Sequence, residues 1–531
     1  MALCVVWVAA KNVRTKVSTA ILVFLSLFVG LGMFTLLNDS AHAKLTPVIQ
    51  ADQSELALRI TSACVYAEKQ MPTVPGSKTK NMSHDMLEKA ERETLKDLEE
   101  GLAQNPNNVP FAIRRTIIEH MLDDSRPHLL PGKHGMSESV KNSIEVLKHG
   151  GGDGPKLAQD FEYIYRSPDS KREAKRETKK EESEDDDSTK PEDLKKPAEV
   201  EQDLIKLIPN GWYRTSALAS LYRASKQDDK LEEIKSKDKE EGLTLFIRFV
   251  GIMVFAVVSV IIGFIVLIIQ VFFLDRKVTP EADLALVRAP APYGFKSVYA
   301  VFIAWLAWQL SVSNWLKLPL AGTKLLQKDV FLAAAGIAVI YLLSNVPALV
   351  FAYFFAMKPH AVKFFEGIKF KLRAGKLGPG RLIVTGLLTW FGALPLVLVA
   401  QLISMKLLGL KGSTNPIIAL VMEAARSANV SAILVFYFTV GVLAPLCEES
   451  LFRGFLYSSL RRKLSILPSI VISAALFAAI HLDGGAFPAL FALGAVFAFA
   501  FEKTKSTLPG MIAHGLWNSG TFSFVLLLFG N

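Results

Sequence analysis

The chain has 531 residues, 51% of them hydrophobic and 21% charged, with a formal net charge of +10. The apolar residues are clustered, which excludes a soluble globular protein throughout. Cys4, Cys64 and Cys447 show no C-x-x-C spacing and indicate neither a disulfide framework nor a thiolate zinc site. The positive balance is not a nucleic-acid signature, because much of it falls in short loops beside apolar runs, where Lys and Arg set membrane orientation.

In chain order, Lys11, Arg14 and Lys16 precede an apolar run from Val17 to Leu37. Residues 1–37 read as an N-terminal transmembrane anchor. Ala41-His42-Ala43 resembles a signal-peptidase site, but the run is longer than the hydrophobic core of a signal peptide. An uncleaved anchor is the first reading and cleavage the alternative; both send the following segment to the non-cytoplasmic side.

Residues 38–242 form a polar, helical, partly disordered insert. Apolar residues at helical spacing predict helices over Ser83–Ala103, Pro110–Leu122 and Ser137–Leu147, with Ser83 placed to cap the first. The stretch 167–201 is a charged linker that lacks the apolar surface to order itself. A second helical patch carries Trp212, Tyr213, Leu218, Leu221 and Tyr222. The insert holds no catalytic arrangement and reads as an interaction or spacer domain.

From Leu243 the apolar runs are long enough to cross ~30 Å of hydrocarbon. They fall near Leu243–Leu274, Val298–Leu316, Val330–Met357, Leu382–Leu407, Val430–Tyr457, Ile466–Leu482, Phe487–Phe501 and Leu508–Phe529. Residues 243–429 are accessory spans and 430–531 the catalytic core. Basic residues gather in alternate loops, at Arg276 to Lys296, Lys358 to Arg381, Arg461 to Lys463, and Lys503 with Lys505. This predicts a cytoplasmic N-terminus, a non-cytoplasmic insert and an outside C-terminus. The loop from Leu316 to Val330, with three lysines, runs against the pattern. Lys363–Lys376 reads as a basic amphipathic surface helix on anionic lipid headgroups. The fold class is therefore all-α: a polytopic helical membrane bundle with a soluble insert.

Three polar constellations interrupt the last spans. Ionisable groups in hydrocarbon are costly and persist mainly where they face one another or a wet cavity. Glu449 and Arg453, four apart, share a helix face and can pair, for support of a site or simply for packing. Glu448 is turned about 100° away and has no partner in its own helix, so it is the candidate general base. Cys447 beside it reads as a small buried hydrophobe. His481 closes an apolar stretch one turn after Phe477 and precedes Asp483-Gly484-Gly485, a turn open to water. It reads either as an acid or base or as a satisfied core histidine. His514 and Asn518, again four apart, read either as a donor pair for an oxyanion or as an interhelical hydrogen-bond clamp.

Glu-Glu-x-x-x-Arg, Phe-x-x-x-His and His-x-x-x-Asn occur in that order on separate apolar segments. Together they resemble the CPBP (abortive-infection) family: type II CAAX prenyl endopeptidases, bacteriocin-processing proteins and lysostaphin-resistance-protein-A-like proteins. The resemblance covers roughly Val430 to Phe529, without departure at any motif position. It implies an intramembrane endopeptidase acting on a membrane-associated protein or peptide. By that resemblance Glu448 and His481 activate water, His514 and Asn518 stabilise the oxyanion, and Glu449 and Arg453 support the site.

The sequence has no H-E-x-x-H. A metal-free mechanism with no cofactor is the preferred reading, with zinc on Glu448, His481 and His514 as the alternative. Implied partners are membrane lipid, a peptide or protein substrate and a protein partner for the insert, with no nucleic acid. A catalytically silent scaffold or immunity protein of the same fold is the rival function. A proton-coupled transporter ranks last, because the two halves show no matching interrupted helices.

Overall fold

The computed structural model describes residues 54–55, 57–62, 64–65, 82–124, 136–165, 196–209, 211–269, 293–321, 329–373, 377–406 and 417–529. The predicted anchor, the cleavage motif and residues 167–195 of the predicted linker lie outside them. The described residues are mainly helical and form no strand element. The chain divides into two compact units, residues 46–251 and a unit containing 252–531.

The first unit contains α1 (Met82–Gln104), α2 (Val109–Asp124), α3 (Glu138–Lys148), α4 (Gly154–Tyr165), α5 (Pro197–Leu207) and α6 (Trp212–Ala224). The predicted helices near residues 83, 110 and 137 correspond to α1–α3. Ser137 caps α3 by accepting from the Val140 amide at 3.3 Å. The core gathers Leu98, Phe111, Ile118, Leu147, Phe161, Leu204, Tyr213 and Leu221. One expected boundary is corrected: the linker assigned to 167–201 ends earlier, because α5 begins at Pro197. Proline in the first turn forfeits no helical hydrogen bond. Val200 and Leu204 are fully buried in the core, and Lys156 of α4 reaches Asp203 at 2.6 Å.

The chain then enters α7 (Asp228–Ile269), a single helix of 42 residues. The boundary expected after residue 242 is therefore not a break in structure, and the division between units falls at 251/252, inside this helix.

The second unit contains the apolar remainder of α7 and then α8 (Phe295–Ala321), α9 (Val330–Ala352), α10 (Pro379–Lys406), α11 (Ile417–Arg426), α12 (Val430–Leu460), α13 (Ile466–Ala479), α14 (Phe487–Thr504) and α15 (Leu508–Phe529). Among the described residues seven helices are long and apolar enough to cross a membrane, so the protein is an integral, multi-pass membrane protein. The expected crossing at Ile466–Leu482 is corrected. α13 has 14 residues, which reach only about 21 Å at 1.5 Å each. Its end, and His481 beyond it, therefore stop short of a full crossing. Gly494 lets α14 pack tightly on α13, since a Cβ there would meet the Ala474 backbone at 3.0 Å.

Prolines inside spans organise the bundle by releasing backbone carbonyls that hydrocarbon cannot solvate. Pro347 in α9 leaves Leu343 O without its usual amide, and the Trp308 indole of α8 donates to that oxygen at 2.8 Å. Trp305 donates to the neighbouring Ser344 O at 2.9 Å. Pro395 in α10 releases Phe391 O, and α7 crosses there at Gly263, where a Cβ would clash with that oxygen.

The basic amphipathic helix expected at Lys363–Lys376 is also corrected. Only Phe364–Gly367 is helical, and Lys369 has a positive φ of 56°. The carbonyls that would continue the helix are engaged elsewhere. Lys369 O accepts from the Thr507 amide at 3.2 Å and Lys371 O from the Ser506 hydroxyl at 2.8 Å. Gly454 of α12 lies against Ile368 O, where a Cβ would clash. The segment is a strap across the core helices. Residues 374–376 lie outside the described residues.

Candidate active site

α12 is not a uniform α-helix. It contains two π-helical stretches, Thr439–Leu443 and Ser450–Tyr457, on either side of the two glutamates. Such insertions are frequent at functional sites. Pro445 accounts for the first. The Ala444 amide donates to Thr439 O, one residue further back than in an α-helix. Val440 O is left facing Pro445, which has no N–H to give. The Asn518 side-chain amide of α15 supplies the missing donor at 2.8 Å. The two backbones can come this close because Gly515 faces Gly441, where a Cβ would lie 2.5 Å from the Gly441 oxygen.

Glu449 and Arg453 form the expected pair, and both are fully buried. The Arg453 guanidinium donates to Glu449 Oε1 at 2.8 Å and to Gly494 O of α14 at 3.0 Å. It also lies 4.4 Å above the Phe477 ring and 5.3 Å from that of Phe497. His514 Nδ1 stands 3.1 Å from the same Glu449 oxygen. Because a carboxylate only accepts, that nitrogen carries the proton. Gly510 makes room for Glu449 Oε2, which a Cβ would approach to 2.7 Å.

Glu448 points elsewhere, as its position on the helix requires, but it is not without a partner. The Tyr341 hydroxyl of α9 donates to its Oε1 at 3.0 Å. Its Oε2 is buried and has no hydrogen-bond partner. That oxygen stands 3.9 Å from His481 Nε2 and 3.9 Å from His514 Nε2. These gaps exceed a hydrogen bond and match the separation that one bridging water closes. His481 Nδ1 donates to Phe477 O at 2.7 Å, so its Nε2, facing Glu448, is the basic nitrogen of the neutral ring.

The rings are held by aromatics. Phe477 meets His481 edge-on with centroids 4.9 Å apart and His514 at 5.8 Å, and Phe497 stacks on His514 at 5.3 Å. Leu482, next to His481, adopts a positive φ of 52°, a conformation uncommon outside glycine. The following turn is pinned: Asp483 accepts from the Ala486 amide at 3.1 Å, and Ser404 of α10 donates to Gly485 O at 3.1 Å.

The structure thus brings Glu448, Glu449, Arg453, His481 and His514 into one cluster built from α12, α14, α15 and the end of α13. Asn518 sits one turn from His514, with its amide engaged on Val440 O. Tyr341 and Phe497 are site neighbours that the sequence reading missed. Tyr341 carried a usable signal, a polar hydroxyl in the middle of an apolar span.

Among the described residues no group of three or more His, Cys, Asp or Glu side chains is arranged to hold a metal ion. The nearest candidate set is Glu448 Oε2 with the two imidazole Nε2 atoms. Ligand atoms around a tetrahedral zinc lie about 3.4 Å apart, so the 3.9 Å spacings would have to tighten to fit one.

Residues 430–520 match the family described as type II CAAX prenyl endopeptidase Rce1-like. The chain is also similar to the membrane-embedded CAAX protease MroQ of Staphylococcus aureus (strain USA300), at 31% identity over 99 residues. That stretch makes up 18% of this chain and 40% of MroQ. No solved structure matches the chain. The resemblance drawn from the three motifs is borne out over the segment that holds all seven motif residues.

Proposed function

Starting from an Rce1-like domain at residues 430–520, we propose that this protein is an intramembrane endopeptidase that hydrolyses a peptide bond of a membrane-associated protein or peptide. One observation carries the reading: a buried, unpartnered carboxylate oxygen of Glu448 faced by two imidazole nitrogens at equal distance. An oxygen left unsatisfied in an apolar interior is costly and is retained where a reactant completes it.

In this mechanism a water sits among Glu448 Oε2 and the two Nε2 atoms. Its oxygen attacks the scissile carbonyl carbon while its proton passes to the Glu448–His481 pair. The tetrahedral oxyanion forms against His514. Collapse breaks the C–N bond, and the stored proton goes to the leaving amine. The partners of the two histidines support this division of labour. His514 has a carboxylate at both nitrogens, whereas the Nδ1 of His481 faces a neutral carbonyl. His514 is therefore the ring assigned to donate to the oxyanion. Asn518 uses one amide hydrogen to hold Val440 O and has a second to offer the oxyanion. Catalysis proceeds with the chain's own acid and base groups and without a metal.

The proposed orientation, from the basic loops, is a cytoplasmic N-terminus with the insert on the other side, where it engages a protein partner. The test of function compares the membrane proteomes of cells carrying the wild-type chain and Glu448→Gln. A protease predicts uncleaved proteins that accumulate only with the variant. Identical proteomes together with a retained biological effect would favour the silent scaffold.

A further inference from the structure

We propose that Tyr341, on α9 and outside the segment matched to the family, is a positioning residue of the active site that assigns the two oxygens of Glu448 different tasks. The inference rests on the protease reading above and extends the site to an accessory helix.

A glutamate carboxylate turns easily about its last torsion, because the bond joins an sp³ to an sp² carbon. In a site with one working oxygen that freedom must be removed. Glu449 is fixed by Arg453 and His514 on Oε1. The guanidinium of its own helix, Arg453, is engaged on Glu449, and the Tyr341 hydroxyl donates to Glu448 Oε1 at 3.0 Å. With Oε1 occupied, Oε2 is the oxygen turned to the imidazoles. The phenol supplies direction without adding a charge that would compete for the reacting proton.

The placement of Tyr341 is itself prepared. One turn further along α9, Asn345 donates back to Tyr341 O at 3.1 Å. Between the two, the carbonyl released by Pro347 and its neighbour accept the indoles of Trp308 and Trp305 from α8. The two indoles hold this stretch of α9 in register with α8. Polar side chains at these positions in an apolar span are retained against their cost in hydrocarbon.

The experiment uses the full chain purified in detergent with a reporter peptide that the wild type cleaves. Tyr341→Phe keeps the ring and removes the hydroxyl. Loss of a hydrogen bond to a charged group corresponds to about a tenfold to hundredfold fall in rate. The expected result is that fall in kcat, with KM within twofold and an unchanged thermal midpoint. In a Glu448→Asp background, where the shortened carboxylate no longer reaches the phenol, Tyr341→Phe should remove little further activity. Wild-type kcat in Tyr341→Phe, a loss confined to KM, or a full additional loss in the Glu448→Asp background would overturn the inference. Glu448→Gln is measured alongside: its activity at the wild-type rate would overturn the protease reading itself, whereas an inactive Glu448→Gln beside a fully active Tyr341→Phe would overturn only the role of Tyr341.

Discussion

The adjacent glutamates should respond oppositely when each loses its charge. Glu449 is fully buried, and its Oε1 is shared by Arg453 at 2.8 Å and His514 at 3.1 Å. Glu449→Gln leaves a fully buried guanidinium without its counter-charge, and breaking a buried pair from one side costs about 3–5 kcal/mol. Glu448 has one oxygen on a neutral phenol and the other unpartnered. A glutamine there still accepts from Tyr341 and removes a buried charge, so the net change should stay within about 1 kcal/mol. The assay is thermal unfolding of both variants in the same detergent, beside peptide turnover. Glu449→Gln should fall by on the order of 10 °C and lose activity as a consequence. Glu448→Gln should unfold like the wild type and be inactive. Equal destabilisation by the two substitutions, or a Glu449→Gln as stable as the wild type, would refute the division into a structural and a working carboxylate.

Other outcomes follow from the same geometry. Asn518→Ala should reduce turnover about 10²–10³-fold, the usual cost of one oxyanion donor, and also lower the unfolding temperature, because Val440 O loses its donor opposite Pro445; the check is turnover and melting of one preparation. Chelators should leave turnover unchanged, and metal analysis of the active protein should find no stoichiometric zinc. In the insert, burial and the neighbouring Glu88 raise the Glu91 carboxyl to about 7. The folded insert then binds more protons than the unfolded chain between about pH 4.5 and 7, so stability falls as pH rises through that window, by on the order of 3 kcal/mol. Glu91→Gln should flatten this dependence in hydrogen exchange of α1, and an unchanged pH profile would contradict it.

Local spacing made part of the site legible. Glu449 with Arg453 pairs across one turn, and Phe477 with His481 meets across another, because both are contacts within a short stretch of helix. Contacts between distant helices left no such trace. Tyr341 reaches Glu448 across 107 residues, and Phe497 stacks on His514 from a separate helix. From spacing alone Asn518 reads as a donor to an oxyanion or as a clamp, and in the structure its amide donates to Val440 O. Its partner depends on the π-helical register that Pro445 imposes on α12, which periodicity does not encode. The Lys363–Lys376 segment has the composition of a surface helix, yet tertiary bonds from Ser506 and Thr507 take its carbonyls. Ile466–Leu482 is apolar enough to suggest a crossing, but its helix stops at Ala479, which leaves His481 level with Glu448.

The most direct measurement is peptide turnover by the purified chain in micelles, wild type against Glu448→Ala and His481→Ala. The proposed water-activating pair predicts cleavage by the wild type and near abolition in both variants, each folded as judged by its melting curve. Turnover by Glu448→Ala at the wild-type rate would contradict it.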